Sequence, residues 1–179
     1  MLPTGQLTVE HRLIEKVIAD VRLRLHDVYV RKTIDPRYVD QVVDFFQTYA
    51  DLCHHGKEEN ILFKSLMVKG PNEALAKTID ELDAQHAFMR AAIKQLVAAN
   101  GAYRVGVNGA EEQVRALLEQ VAEGYISHIQ REDRDLYPVA MDCYSVDEKT
   151  AMIRDMLNYD RGLIHEKYRR LADALDADQ

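Results

Sequence analysis

Residues 53–63 read CHHGKEENILF: two adjacent histidines, each followed four residues on by a glutamate. On an α-helix, positions four apart share a face, so the segment carries two His–Glu pairs on neighbouring faces. Counting back from His54 by helical turns gives Ala50, Phe46 and Val43, and counting forward gives Glu58 and Ile61. That column is apolar apart from the pair itself, which predicts that His54 and Glu58 point inward. His55 aligns with Asp51, Thr48, Asp44 and Glu59, so the same wheel turns His55 and Glu59 toward solvent.

The spacing recurs in HIQREDRDLYP, residues 128–138, where His128 and Glu132 share a column with Leu117, Val121, Gly124 and Leu136. Two further histidines lie on apolar faces, His11 with Ile14, Ile18, Val21 and Leu25, and His86 with Ile79, Leu82, Met89 and Ile93. A single histidine on such a face more often packs than ligates. Four of them, two with a carboxylate one turn on, reverse that balance. A buried ionised glutamate costs several kcal/mol unless a counter-charge meets it, and a pair of cations shared between helices meets both. His165, in GLIHEKYRR, falls between an apolar column (Ile153, Leu157, Ile164, Leu171, Leu175) and a polar one with Arg161 and Arg169, so it is either a fifth histidine ligand or a surface or supporting residue. His26, beside Asp27 near a helix end, reads as structural. Tyr49 and Tyr125 are placed to approach the cluster.

Apolar residues recur at three and four along the whole chain, the periodicity of long helices. The predicted helices span 8–30 with Thr8 as N-cap, 36–67 opened by Asp35 and Pro36, 72–100 ended by Asn100 and Gly101, and 110–137 stopped by Pro138. Ser145 and Glu148 form a capping box for a fifth helix, 146–175. Short connections between long helices predict an all-α, up-and-down antiparallel four-helix bundle with an additional C-terminal helix, one domain over residues 1–179.

The net charge of −7, with both signs interspersed, argues against nucleic acid as the partner. The chain shows neither a secretory leader nor an apolar run of about 20 residues, so a cytoplasmic protein without a membrane segment is expected. Cys53 and Cys143 are far apart and read as small buried hydrophobes in a reducing compartment.

The segments EHRLIE, HHGKEENILF, QHAFMR and HIQREDRDLYP, in that order on successive helices, resemble the hemerythrin or HHE cation-binding family over residues 7 to about 140. The segment YDRGLIHEKYRRL resembles an additional helix of a bacterial and archaeal subgroup of that family. The resemblance implies a four-helix bundle around a non-haem di-iron centre, with His11, His54, His86 and His128 as terminal ligands and Glu58 and Glu132 as bridging carboxylates. The animal oxygen carriers of the family have two histidines on the third helix, where this chain offers His86 alone. Either one metal keeps a vacant position, as in the iron-centre repair relatives, or His165 fills it.

Imidazole and carboxylate ligands suit iron, and seven of them, His165 included, leave positions open on two six-coordinate ions. The expected function is binding or sensing of O2, or handling of peroxide or NO. The alternatives are a di-iron enzyme with catalase-like, peroxidase or NO-reductase activity, and iron storage or iron-centre repair. With no output domain in the sequence, a free-standing binding or protective protein is expected over a fused receptor.

Overall fold

The computed structural model describes residues 2–31 and 33–177, with side chains described outside 27–31 and 164–177. Five helices account for nearly all of it: α1 (Pro3–Arg31), α2 (36–69), α3 (Glu73–Arg104), α4 (110–142) and α5 (Val146–Ala177). Their ends carry the expected chemistry. Arg37 N–H donates to the Asp35 carboxylate at 2.9 Å while Pro36 takes the first helical position, and Leu75 N–H donates to Asn72 Oδ1 at 2.9 Å. Gly70 closes α2 at φ 70°, a left-handed conformation that costs glycine nothing. Ser145 N–H donates to Glu148 Oε2 at 2.8 Å and Glu148 N–H returns to Ser145 Oγ at 3.3 Å, the capping box read from the sequence.

Three boundaries differ from the sequence reading. Helix α1 begins at Pro3 rather than at Thr8, whose hydroxyl bonds back to Thr4 O at 2.9 Å as a mid-helix threonine does. Helix α3 continues past Asn100 to Arg104, because the Asn100 amide is held by Pro36 O and Asp40 Oδ1 across the bundle. Helix α4 passes through Pro138 to Asp142: Glu132–Leu136 is wound as π-helix, and Pro138 falls in the first turn of the α-helical stretch that follows it. Two π-helical stretches also lie within α2, Phe46–His55 and Glu58–Phe63.

Contacts between α1 and α2 (Glu10 with His54, Arg24 over the Tyr38 ring), α2 and α3 (Asp40 with Arg104, Glu59 with His86), and α3 and α4 (Glu81 with Arg131, Met89 against Gly124) pair rising with falling residue numbers. Successive helices are therefore antiparallel. Two apolar layers fill the bundle. One contains Ile14, Phe46, Ala50, Met89, Leu96, Leu118 and Tyr125, and the other Leu7, Leu62, Leu66, Leu82, Leu136 and Met156. Between them every bundle helix contributes a histidine: His11, His54, His86 and His128. Val9 and Leu13 on α1 are 68% and 41% exposed, since the inward turn is occupied by Glu10, His11 and Ile14. Cys143 is exposed and Cys53 half-buried, both as free thiols, so the expectation of two buried cysteines fails.

Helix α5 docks on α1 and α2 through Met152 and Met156, while Leu157, expected in its apolar column, is 47% exposed. The side chains of Ile164, Leu171 and Leu175 of that column lie outside the described ones. At the crossing, a Cβ on Gly56 would stand 2.2 Å from Tyr159 Oη, and the Tyr159 hydroxyl donates to Leu52 O at 3.3 Å. A side chain at position 56 would push the Tyr159 phenol away from α2. Among the described residues no helix is long and apolar enough to cross a membrane.

Met156 is fully buried, and Met156→Ala is expected to cost about 2–5 kcal/mol in urea unfolding. An unchanged midpoint would mean that α5 is an appendage rather than part of the cooperative unit.

Candidate metal centre

The polar layer holds seven side chains whose donor atoms converge. His55, Glu58, His86 and His128 form one group and His11, His54, Glu58 and Glu132 another, the donor atoms of each lying within 4.8 Å of one another. All seven residues are at most 1% exposed. Glu58 belongs to both groups: its Oε2 is 3.5 Å from His54 Nε2 on one side and 3.5 Å from His86 Nε2 on the other. Glu132 also faces both ways, with Oε2 3.1 Å from His11 Nε2 and Oε1 3.2 Å from His128 Nε2.

The five rings are oriented alike. Nδ1 of His11 meets Asp133 at 2.9 Å, that of His54 meets Glu10 at 2.9 Å, that of His86 meets Glu59 at 2.8 Å and that of His128 meets the Gln85 amide oxygen at 2.9 Å. His55 Nδ1 lies 3.4 Å from Asp51, and Arg90 ties Asp51 and Glu59 together from outside. With each Nδ1 committed outward, every Nε2 is directed into the layer, the ring orientation that a shared cation requires.

Several inward atoms face other donor atoms of the layer without forming a hydrogen bond. His54 Nε2, His55 Nε2, Glu58 Oε2 and Glu132 Oε1 are buried without a hydrogen bond. An apolar core rarely leaves such atoms orphaned, because each forfeits its hydration uncompensated. Two imidazole nitrogens and two carboxylate oxygens converging in this way are the donor set of a cation site, and the residues fit metal ions of the kind imidazole and carboxylate select.

The electrostatics of the layer agree. Burial, reinforced by the charge of Glu132, pushes the Glu58 carboxyl well above the ordinary range. Burial also opposes ionisation of Glu132, but the His128 charge and the rings of His11, His128 and His86 win and hold it well below that range. His11, although desolvated, is raised to about 9 by Asp133 and Glu132. Desolvation prevails at His54, lowered to about 4, and at His55, lowered further with the help of the His86 charge. Without a cation, the layer is thus balanced by a protonated Glu58 and an imidazolium at His11.

Of the residues singled out in the sequence, His11, His54, Glu58, His86, His128 and Glu132 come together in the layer. The His165 side chain lies outside the described residues. His26 is exposed and belongs to neither donor group. His55 and Glu59 correct the helical wheel. His55 is 1% exposed, stacked between His86 (centroids 3.8 Å) and Tyr125 (5.7 Å), and Glu59 is half-buried against His86. The cause is the π-helical winding of Phe46–His55: wider turns advance each residue by less than the about 100° of an α-helix, so adjacent histidines both face inward. Tyr137 was also missed. Its hydroxyl donates to Glu58 Oε1 at 2.6 Å and lies 3.2 Å from His11 Nε2. Its position five residues after Glu132, one π-turn on, is the sequence signal that would have found it. Tyr125 packs on His55 and Phe46. Tyr49 instead stacks on Phe45.

Residues 2–140 match the family model described as hemerythrin HHE cation binding domain, a span that includes all seven converging residues. Comparison with curated proteins and with solved structures returns no match. A match over more than half the chain, on a helical bundle with buried His/Glu clusters, places this chain in the hemerythrin family of cation-binding domains.

Proposed function

We propose that the polar layer holds two iron ions and that the protein binds or senses O2, or handles peroxide or NO. The observation that carries this reading is the pair of donor groups sharing Glu58, with Glu132 presenting one oxygen to each side. In this reading Glu58 and Glu132 are the bridging carboxylates, His11 and His54 serve one ion, and His55, His86 and His128 serve the other. His55 then supplies the additional histidine that the third helix lacks, so His165 is not needed to complete the set.

Bound iron would supply open coordination positions and one-electron redox chemistry toward a diatomic or peroxide ligand. The chain's own residues set the limits of that chemistry. Five imidazoles contribute no charge and two carboxylates contribute two negative charges, fewer than sites built on four carboxylates. Such a shell stabilises oxidised ions less, which favours binding or modest turnover over forceful oxygen activation. The apolar layers lie on either side of the donor groups, and the Tyr137 hydroxyl places a proton donor against Glu58.

Metal analysis of anaerobically purified protein, with visible spectra before and after air, tests the proposal. About two irons per chain and a reversible oxygen-dependent band support O2 binding or sensing; irreversible oxidation moves the reading to peroxide, NO or repair chemistry; a metal-free protein refutes it. Rapid catalytic loss of peroxide or NO in stopped flow would favour the enzyme reading.

His55→Ala is expected to lose at least half of the bound metal, as His54→Ala should, whereas His26→Ala should retain it. Equal retention in His55→Ala and wild type would show that His55 only packs. Metal uptake at pH 7 should release protons, because His11 is raised to about 9 and Glu58 lies well above its usual range without a cation. Conversely, acid should strip the metal. Titration in two buffers of different ionisation enthalpy measures the proton count, and a count of zero contradicts the assignment.

A further inference from the structure

Lys57 is fully buried, one residue before Glu58, yet its side chain does not join the polar layer. It turns instead toward α1 and α5. Its ammonium donates to Glu10 Oε1 and to Asp160, whose Oδ1 and Oδ2 lie at 2.8 and 3.0 Å. Asp160 is further fixed by Gln6 Nε2 at 2.9 Å and by the Cys53 thiol at 3.2 Å. The other oxygen of Glu10, Oε2, accepts from His54 Nδ1 at 2.9 Å. A continuous chain of charge-assisted contacts therefore runs from α5 to an inward-facing histidine: Asp160, Lys57, Glu10, His54.

We infer that Lys57, anchored by Asp160 of α5, is a positioning residue that fixes the Glu10 carboxylate against His54 and so sets how tightly the ion on the His11/His54 side is held. The inference rests on the proposed metal centre and concerns residues that act on it from outside.

A buried lysine with two carboxylate partners satisfies its charge only in this geometry, and losing one partner would leave an expensive unpaired ion. The arrangement is therefore stiff. Stiffness matters at Glu10, because a carboxylate bound at one oxygen alone can rotate, whereas Glu10 is held at both. The imidazole it grips keeps Nε2 directed inward, the role that outer partners of metal-bound histidines perform. His86 and His128 are held differently, by Glu59 with Arg90 and by Gln85, so disturbing Lys57 leaves the other side of the centre untouched. Asp160 also lies beyond residues 2–140, the part that matches the family domain. The link thus makes α5 a working part of the metal site and not merely packing on the bundle.

The test is anaerobic competition of Fe2+ between a chromogenic chelator and the full-length protein, for wild type, Lys57→Met, Asp160→Asn, Glu10→Ala and the Lys57→Met/Glu10→Ala double variant, with thermal unfolding in parallel. Lys57→Met should weaken one ion by about 10- to 100-fold and leave the second unchanged. In the Glu10→Ala background the same substitution should weaken iron binding no further, since Lys57 acts through Glu10. Asp160→Asn leaves Lys57 and Glu10 in place, so it gives the answer should Lys57→Met fail to fold, and it should weaken the same ion. Equal weakening of both ions, additive losses in the double variant, or wild-type affinity in both Lys57→Met and Asp160→Asn would overturn the inference. Wild-type protein that takes up no iron would instead overturn the metal centre itself, and this inference with it.

Discussion

Glu58 and Glu132 face one another across the middle of the bundle, both fully buried, and nearly every other polar feature follows from that confrontation. Two carboxylates so close cannot both remain ionised without compensation. In the absence of a cation the layer divides the problem, with a proton held on Glu58 and positive rings drawn around Glu132. That compromise still leaves Glu58 Oε2, Glu132 Oε1 and two imidazole nitrogens without a hydrogen bond. Cations satisfy all of these atoms together, so the same residues that strain the metal-free core organise the metal-bound one.

The backbone is adapted to the same end. A regular α-helix presents one residue per turn to a given point, and α2 must present His54, His55 and Glu58 while turning Lys57 away. Its two π-helical stretches achieve this by slowing the rotation of side chains around the axis. On α4, Glu132 opens a single stretch of the same winding, which brings Tyr137 back to the layer. The wider turns cost hydrogen-bond geometry, and a packed bundle tolerates that cost where the layer needs the donors.

Much of this was legible in the sequence. Caps at Asp35 and Ser145 mark helix starts by local chemistry alone, and the columns through His11, His54, His86 and His128 are visible because flanking apolar residues keep 3.6-residue phase. What escaped notice depended on departures from that phase or on distant partners. His55 was misplaced because the wheel assumed α-helical rotation through a π-helical segment. Helix α4 was cut at Pro138 because proline ordinarily ends a helix, whereas here it occupies the first turn of the α-helical stretch that follows the π-helical one. Glu10, Asp133, Gln85 and Glu59 are ordinary polar residues on helix faces, and only the packed bundle reveals that each holds the outer nitrogen of a buried ring.

The placement of the polar layer explains how so polar a centre coexists with a stable fold. Each bundle helix passes from one apolar cluster through the layer into the other, as in Leu7, His11, Ile14 on α1 and Leu82, His86, Met89 on α3. Burial above and below therefore fixes helix register at every histidine without requiring the histidines to contribute. Rings clamped from outside and carboxylates held by neighbouring helices have little freedom left to lose when a cation arrives. The bundle provides the rigidity, and the polar layer takes advantage of it.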